Sequence, residues 1–263
     1  MAKLTINFYA NSLHRSVTFK MFIPNDKRTD TGPLPPDMIE DNKPMKTLFL
    51  LHGYTGDADN WVPEWLAVKY NFAIVMPNGE NSFYLDGLST GHQFCTFVGK
   101  ELVEYVQNTF GLAKNPDETY IMGLSMGGFG SFHTAMAYPQ TFGKCALLSA
   151  AYIIHEVAQM KPGEGNPVAN YEYYRECFGE PEKVLDGPNN PEFLIKKLQQ
   201  EGKKIPEIFM ACGTEDFLLT PNRELDKWLT QNNVPHKYFE SKGQHDMIFW
   251  NEYAQKFVEL MFG

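Results

Sequence analysis

Gly123, Ser125 and Gly127 stand in the order Gly-x-Ser-x-Gly, with the apolar run Tyr120-Ile121-Met122 before them and a helical pattern after them. A serine on a sharp strand-to-helix turn is pushed out of the sheet in a strained backbone conformation, which exposes its hydroxyl for nucleophilic attack. Residues two positions either side come too close to the turn to carry side chains, which explains both glycines. The helix that follows, starting near Met126, directs unpaired N–H groups and the positive end of its dipole toward developing negative charge. The three spaced residues alone form a weak pattern, because glycine and serine are common. Their strand and helix context is what points to a nucleophile.

Such a nucleophile needs a base, and the base needs an acid, in the chain order Ser, Asp or Glu, His. Asp216 follows the apolar run 208–212 in Gly213-Thr214-Glu215-Asp216-Phe217, at the carboxyl edge of a strand where α/β sites assemble. Glu215 is its rival, and position within the post-strand turn favours Asp216. His245 lies in a loop after the short strand 236–240 and before a terminal helix. The other six histidines read as surface or packed residues: His14 is in a hairpin, His52 precedes the serine, His92, His133 and His155 come before any candidate acid, and His236 opens a strand. Neutral His245 would take the Ser125 proton and return it to the leaving alcohol, while Asp216 fixes its tautomer and stabilises the imidazolium. The first step would leave an acyl-enzyme for water to hydrolyse. Two backbone donors are expected for the oxyanion: the N–H of Met126, and that of Tyr54 in the loop His52-Gly53-Tyr54-Thr55-Gly56.

The elements that must position these groups follow from hydrophobic periodicity. Segments 4–9 and 17–23 alternate around a polar turn and predict an antiparallel pair. Short continuous apolar runs at 48–51, 72–76, 120–122, 145–148 and 208–211 suit strands buried on both faces. Helical stripes run over 100–110, 127–138, 223–229 and 253–261. The alternation predicts right-handed βαβ crossovers, hence an α/β fold with a mostly parallel central sheet flanked by helices. At 263 residues and 43% hydrophobic content, one domain spanning 1–263 with a sizeable core is expected. Segments 24–44 and 161–191 are dense in turn-forming residues and read as loops.

A formal net charge of −9 without a basic run disfavours nucleic acid and anionic membrane surfaces as partners. No apolar stretch reaches spanning length and the N-terminus lacks an apolar signal core, so a cytoplasmic protein is expected. Cys95, Cys145, Cys177 and Cys212 are widely spaced and read as reduced, buried thiols. No His/Cys cluster has metal-ligand spacing, so no metal or other cofactor is expected.

Taken together, these segments resemble the esterase D and tributyrin-esterase group, which includes bacterial acetyl and feruloyl esterases. The resemblance rests on Leu50-Leu51-His52-Gly53-Tyr54-Thr55-Gly56 with Trp61, on Met76-Pro77-Asn78-Gly79, on Gly123-Leu124-Ser125-Met126-Gly127-Gly128-Phe129-Gly130, on Gly213-Thr214-Glu215-Asp216-Phe217, and on Gly243-Gln244-His245 with Trp250. It runs from about residue 3 to the C-terminus. It implies the α/β-hydrolase fold, a metal-free Ser-His-Asp mechanism, and activity on esters of short acyl chains (acetyl, butyryl) or hydroxycinnamoyl acids. One position departs: the group often has tryptophan two residues after the histidine, where this chain has Met247. Trp61, Tyr84, Phe217, Met247 and Trp250 are candidate walls of the substrate pocket, although each alone also reads as a packed core residue. Segment 151–204, which contains Tyr171, Tyr173 and Tyr174, interrupts the sheet pattern and suits a cap over the site. A contact in a homo-oligomer is the rival. A thioester hydrolase acting on S-formylglutathione, an acyltransferase and a non-catalytic binding protein on the same scaffold are alternative functions.

Overall fold

The computed structural model describes residues 1–24 and 44–263, so all but the ends of the loop expected at 24–44 lie outside the described residues. Strands β1 (Ala2–Ala10) and β2 (Arg15–Ile23) form the antiparallel hairpin, and β2 lies antiparallel along β4 (Phe72–Pro77). The remaining strands, β3 (Lys46–Leu51), β5 (Thr119–Leu124), β6 (Lys144–Leu148), β7 (Glu207–Gly213) and β8 (His236–Ser241), run parallel with β4. The eight strands are ordered β1-β2-β4-β3-β5-β6-β7-β8. Every residue of β4 and β5 is buried, as continuous apolar runs require.

The helices are α1 (Glu64–Tyr70), α2 (Phe94–Thr96), α3 (Leu102–Phe110), α4 (Met126–Ala137), α5 (Ile154–Val157), α6 (Tyr171–Phe178), α7 (Pro191–Gln200), α8 (Leu219–Gln231) and α9 (Met247–Phe262). Strand alternation divides the core between the two faces of the sheet. Leu48 and Leu50 pack in one cluster with Leu66 of α1 and Phe257 of α9, whereas Phe49 and Leu51 pack in the other with Val106 of α3 and Phe129 and Phe132 of α4.

Two regions differ from the sequence expectation. The helix expected from residue 100 starts at Phe94 and passes through a wide π turn, Phe97–Glu101, before α3. In that turn the Gly99 backbone lies flat against the Tyr138 ring, where a Cβ would stand 2.2 Å from a ring carbon. The segment read as a loop at 161–191 contains α6 and a 3₁₀ turn, Pro181–Asp186. Tyr174, Cys177 and Phe178 bury one face of α6, and the Asn170 side chain caps it by accepting the Tyr173 N–H at 3.0 Å. A buried face this short leaves too few turns to establish a helical period in the sequence.

Candidate active site

Ser125 sits between the end of β5 and the start of α4, with φ 53° and ψ −118°. Its N–H donates to the Leu148 carbonyl at 2.8 Å and its own carbonyl accepts from Phe129 and Ala151. The strained serine is thus tied to β6 and to its own helix, which is how the fold maintains an unfavourable backbone angle. The two glycines are required by contact. A Cβ on Gly123 would stand 2.0 Å from the Gly127 carbonyl oxygen, and one on Gly127 would stand 2.5 Å from the His52 carbonyl oxygen.

His245 lies between β8 and α9, and the structure brings it to the serine. Its Nε2 is 3.0 Å from Ser125 Oγ, and its Nδ1 is 2.9 Å and 3.0 Å from the two carboxylate oxygens of Asp216. With Nδ1 facing a carboxylate and Nε2 facing a hydroxyl, the neutral ring carries its proton on Nδ1 and offers the Nε2 lone pair to the serine. Asp216 is placed by the turn after β7, where its N–H donates to Gly213 O at 3.1 Å. Its side chain is wholly buried. Burial alone would raise the carboxyl pKa, but the bonds from His245, the Leu218 N–H (2.8 Å) and Ser149 together hold it below the ordinary carboxylate value. Glu215, the rival acid, turns outward toward Lys242 at 3.9 Å.

Two aromatic rings bracket His245. Phe217 lies 4.5 Å away between centroids, and Trp250 meets the ring edge-on at 4.8 Å while its indole N–H donates to Ser149 Oγ at 3.0 Å. Above the serine opens a cavity of about 880 Å³ lined by Tyr54, Met126, Phe217, His245 and Trp250 among others. Tyr54 and Met126 both line the cavity, and among the described residues neither backbone N–H takes part in a turn or loop hydrogen bond to another backbone group.

Three residues expected in the pocket wall are elsewhere. Tyr84 is completely buried, its ring packed on Gly79 and Gly130 and its hydroxyl donating to His52 O at 3.2 Å. Trp61 and Met247 line a separate open depression with Asn251 and Gln255. Met247 opens α9, whose start is fixed by Asp246 accepting the Ile248 and Phe249 N–H groups at 3.0 Å. The segment after β6 contributes Tyr152, His155, Glu156 and Tyr174 to the cavity wall, and α8 contributes Glu224; of these the sequence singles out only Tyr174, within the segment expected as a cap. Only the tyrosine cluster at 171–174 gave a signal there. His155 and Glu156 sit in a four-residue helix with no readable period.

The sequence pattern of the Esterase family matches residues 23–259, more than half of the chain. The chain belongs to the Esterase family. This esterase is 38% identical to an acetyl esterase of Caldicellulosiruptor saccharolyticus over 99% of this chain and 98% of that protein. Among solved structures, the fluorophosphonate-binding serine hydrolase F of Staphylococcus aureus, with substrate bound, superposes at a TM-score of 0.82 with 26% identity, covering 100% of this chain and 98% of the other. An S-formylglutathione hydrolase of the same organism superposes at 0.80 with 26% identity, covering 100% and 99%. The esterase thus has the α/β-hydrolase architecture expected from the sequence, and its structural neighbours are serine hydrolases. No described helix is long and apolar enough to cross a membrane.

Proposed function

We propose that this esterase is a serine carboxylesterase in which Ser125 is the nucleophile, His245 the general base and Asp216 the group that orients the base. The observation that carries the reading is the continuous chain of contacts from Ser125 Oγ through His245 to Asp216, at 3.0 Å and 2.9 Å. As Oγ attacks the ester carbonyl, its proton passes to His245 Nε2, and the Tyr54 and Met126 N–H groups receive the oxyanion. Collapse of the tetrahedral intermediate expels the alcohol, which takes the proton from Nε2. Water activated by the same nitrogen then releases the acid from Ser125.

The substrate we assign is an uncharged oxygen ester of a short acyl chain (acetyl or butyryl) or of a hydroxycinnamoyl acid. Apolar walls from Leu124, Phe217 and Trp250 beside the serine support such an acyl group. In this reading segment 151–204 is a cap, supported by Tyr152, His155 and Tyr174 lining the cavity, and the protein acts in the cytoplasm, in keeping with four free buried thiols. Likeness to an S-formylglutathione hydrolase favours a second reading, a glutathione thioesterase. Glutathione carries two carboxylates, and among the described residues lining the cavity none is Lys or Arg, whereas Glu156 and Glu224 are present. Like charges in a low-dielectric cleft oppose binding, so the oxygen ester is preferred.

Turnover of p-nitrophenyl acetate tests the core of the reading, with an expected loss of at least ~10⁴-fold in Ser125→Ala. Equal rates for the wild type and the variant reject it. A higher kcat/KM for S-formylglutathione than for acetyl, butyryl and feruloyl esters would transfer the assignment to the thioesterase.

A further inference from the structure

His52 is 5% exposed, lies directly before the oxyanion loop, and touches two backbone segments with its two ring nitrogens. We propose that His52 is the positioning residue of the oxyanion hole: a neutral ring, protonated on Nδ1 only, that turns the Gly53–Tyr54 peptide so that the Tyr54 N–H faces the reacting carbonyl. The inference rests on the reading of Tyr54 as an oxyanion donor.

The backbone dictates the tautomer. The Gly79 N–H, which can only donate, stands 2.9 Å from Nε2, so that nitrogen is unprotonated. The Gly53 carbonyl, which can only accept, stands 2.8 Å from Nδ1, so the proton is there. An Nε2–H tautomer would set donor against donor and lone pair against lone pair. The Gly53 oxygen also accepts the Gly56 N–H at 3.0 Å, so two donors hold it on one side. In a planar trans peptide the N–H points opposite to the C=O, so anchoring the Gly53 oxygen aims the Tyr54 N–H the other way. Gly56 lies so close that a Cβ there would stand 3.0 Å from His52 Nδ1. Burial of the ring agrees with a neutral state, although the polar groups facing it pull the other way. Burial pushes its pKa below the ordinary imidazole value, against the opposing pull of the Gly53 carbonyl, Asp57 and Asp59. The un-ionised Tyr84 ring packs 5.7 Å away.

Nitrogen-15 NMR of the wild-type protein at neutral pH is expected to show the His52 ring protonated on Nδ1 alone. An Nε2–H tautomer or an imidazolium overturns the proposal without any variant having to fold. Three substitutions then separate the two nitrogens. His52→Asn keeps a donor where Nδ1 stands, His52→Gln keeps an acceptor near Nε2, and His52→Leu removes both. With p-nitrophenyl acetate, His52→Gln and His52→Leu are expected to lose about 10- to 100-fold in kcat, a part of the cost of a missing oxyanion donor, with little change in KM. Both should bind an arylboronic acid, a mimic of the tetrahedral anion, more weakly by the same factor, while His52→Asn retains most of the wild-type kcat. Unchanged kcat in the Gln and Leu variants, or a loss confined to KM with unaltered boronate binding, overturns the proposal. Ser125→Ala measured alongside distinguishes the failures: an active serine variant defeats the esterase reading, whereas an inactive one beside a fully active His52→Leu defeats only the role of His52.

Discussion

On the sheet side of the cavity, Ser125, Met126, Asp216 and His245 stand on strand ends whose backbones touch one another. In the wall from the segment after β6, Tyr152 stands in a loop and His155, Glu156 and Tyr174 stand on short helices, joined by side-chain hydrogen bonds. The first wall is fixed by sterics: the elbow glycines meet backbone atoms of neighbouring turns at 2.0 Å and 2.5 Å from where a Cβ would be. The second is fixed by polar side chains. Asn170 and Asn190 cap α6 and α7, the Tyr152 hydroxyl donates to Glu192 at 3.0 Å, and the Tyr174 hydroxyl donates to Asn166 at 3.0 Å. Backbone contact tolerates little change and preserves a reaction geometry. Side-chain bonding can be rewritten residue by residue and suits the choice of substrate.

The contrast predicts that chemistry fails steeply on the sheet side. Asp216→Asn keeps the size of the acid but removes its charge and allows the His245 ring to adopt the wrong tautomer. The expected loss is ~10⁴-fold in kcat with little change in thermal stability. A kcat within tenfold of wild type would mean that Asp216 does not orient the base.

A pair of glycine substitutions sharpens the comparison of the two walls. Gly127→Ala forces α4 away from the ends of β3, because the new carbon would press on the His52 and Leu51 carbonyls at 2.5 Å and 2.6 Å. The expected cost is about 3 kcal/mol, seen as a melting temperature lower by roughly 6–12 °C. Gly163, in the segment after β6, has φ 86° but nothing within 4 Å, so alanine there meets only the penalty of a left-handed backbone, about 1–2 kcal/mol. Equal melting temperatures for the two variants would remove the steric distinction drawn between the walls.

The same division explains what could be read from the sequence. Strand runs, the Gly123-Ser125-Gly127 spacing and the post-strand positions of Asp216 and His245 are legible because backbone sterics and burial restrict the residue types allowed there. Position within the post-strand turn favours Asp216 over Glu215 in the sequence, and the contact of Asp216 with His245 agrees with that preference. Tyr84, Trp61 and Met247 were misplaced because an aromatic or apolar residue near a motif in sequence fits a pocket wall, a core or an open depression equally well. His155, Glu156 and Glu224 were missed because their meeting depends on how a non-periodic segment returns over the sheet, which no local pattern encodes.

The mildest expected change lies in the second wall, at the buried Glu192. Its carboxylate accepts from Tyr152 and stands 2.8 Å from His155 Nε2. The hydrogen bond that the His155 ring donates to Glu192, opposed by burial and helped by the charges of Glu192 and Glu224, raises the His155 pKa above its ordinary value of 6.5. Because the folded protein then binds this proton more tightly than the unfolded chain, the associated stability is fully present below the unfolded value. It is lost as pH rises through the raised folded value. The His155 side chain is 44% exposed, so the effect is small and screened by salt. Glu192→Gln keeps an acceptor for Tyr152 but removes the charge. The His155 titration midpoint followed by NMR should therefore fall, and the loss of stability above pH 6.5 should flatten, with kcat on p-nitrophenyl acetate within about threefold of wild type, since Glu192 does not line the cavity. A midpoint that stays in place would show that Glu192 does not hold the proton. A kcat loss as deep as that expected for Asp216→Asn would place His155 in the chemistry, and the separation between a reacting wall and a selecting wall would not stand.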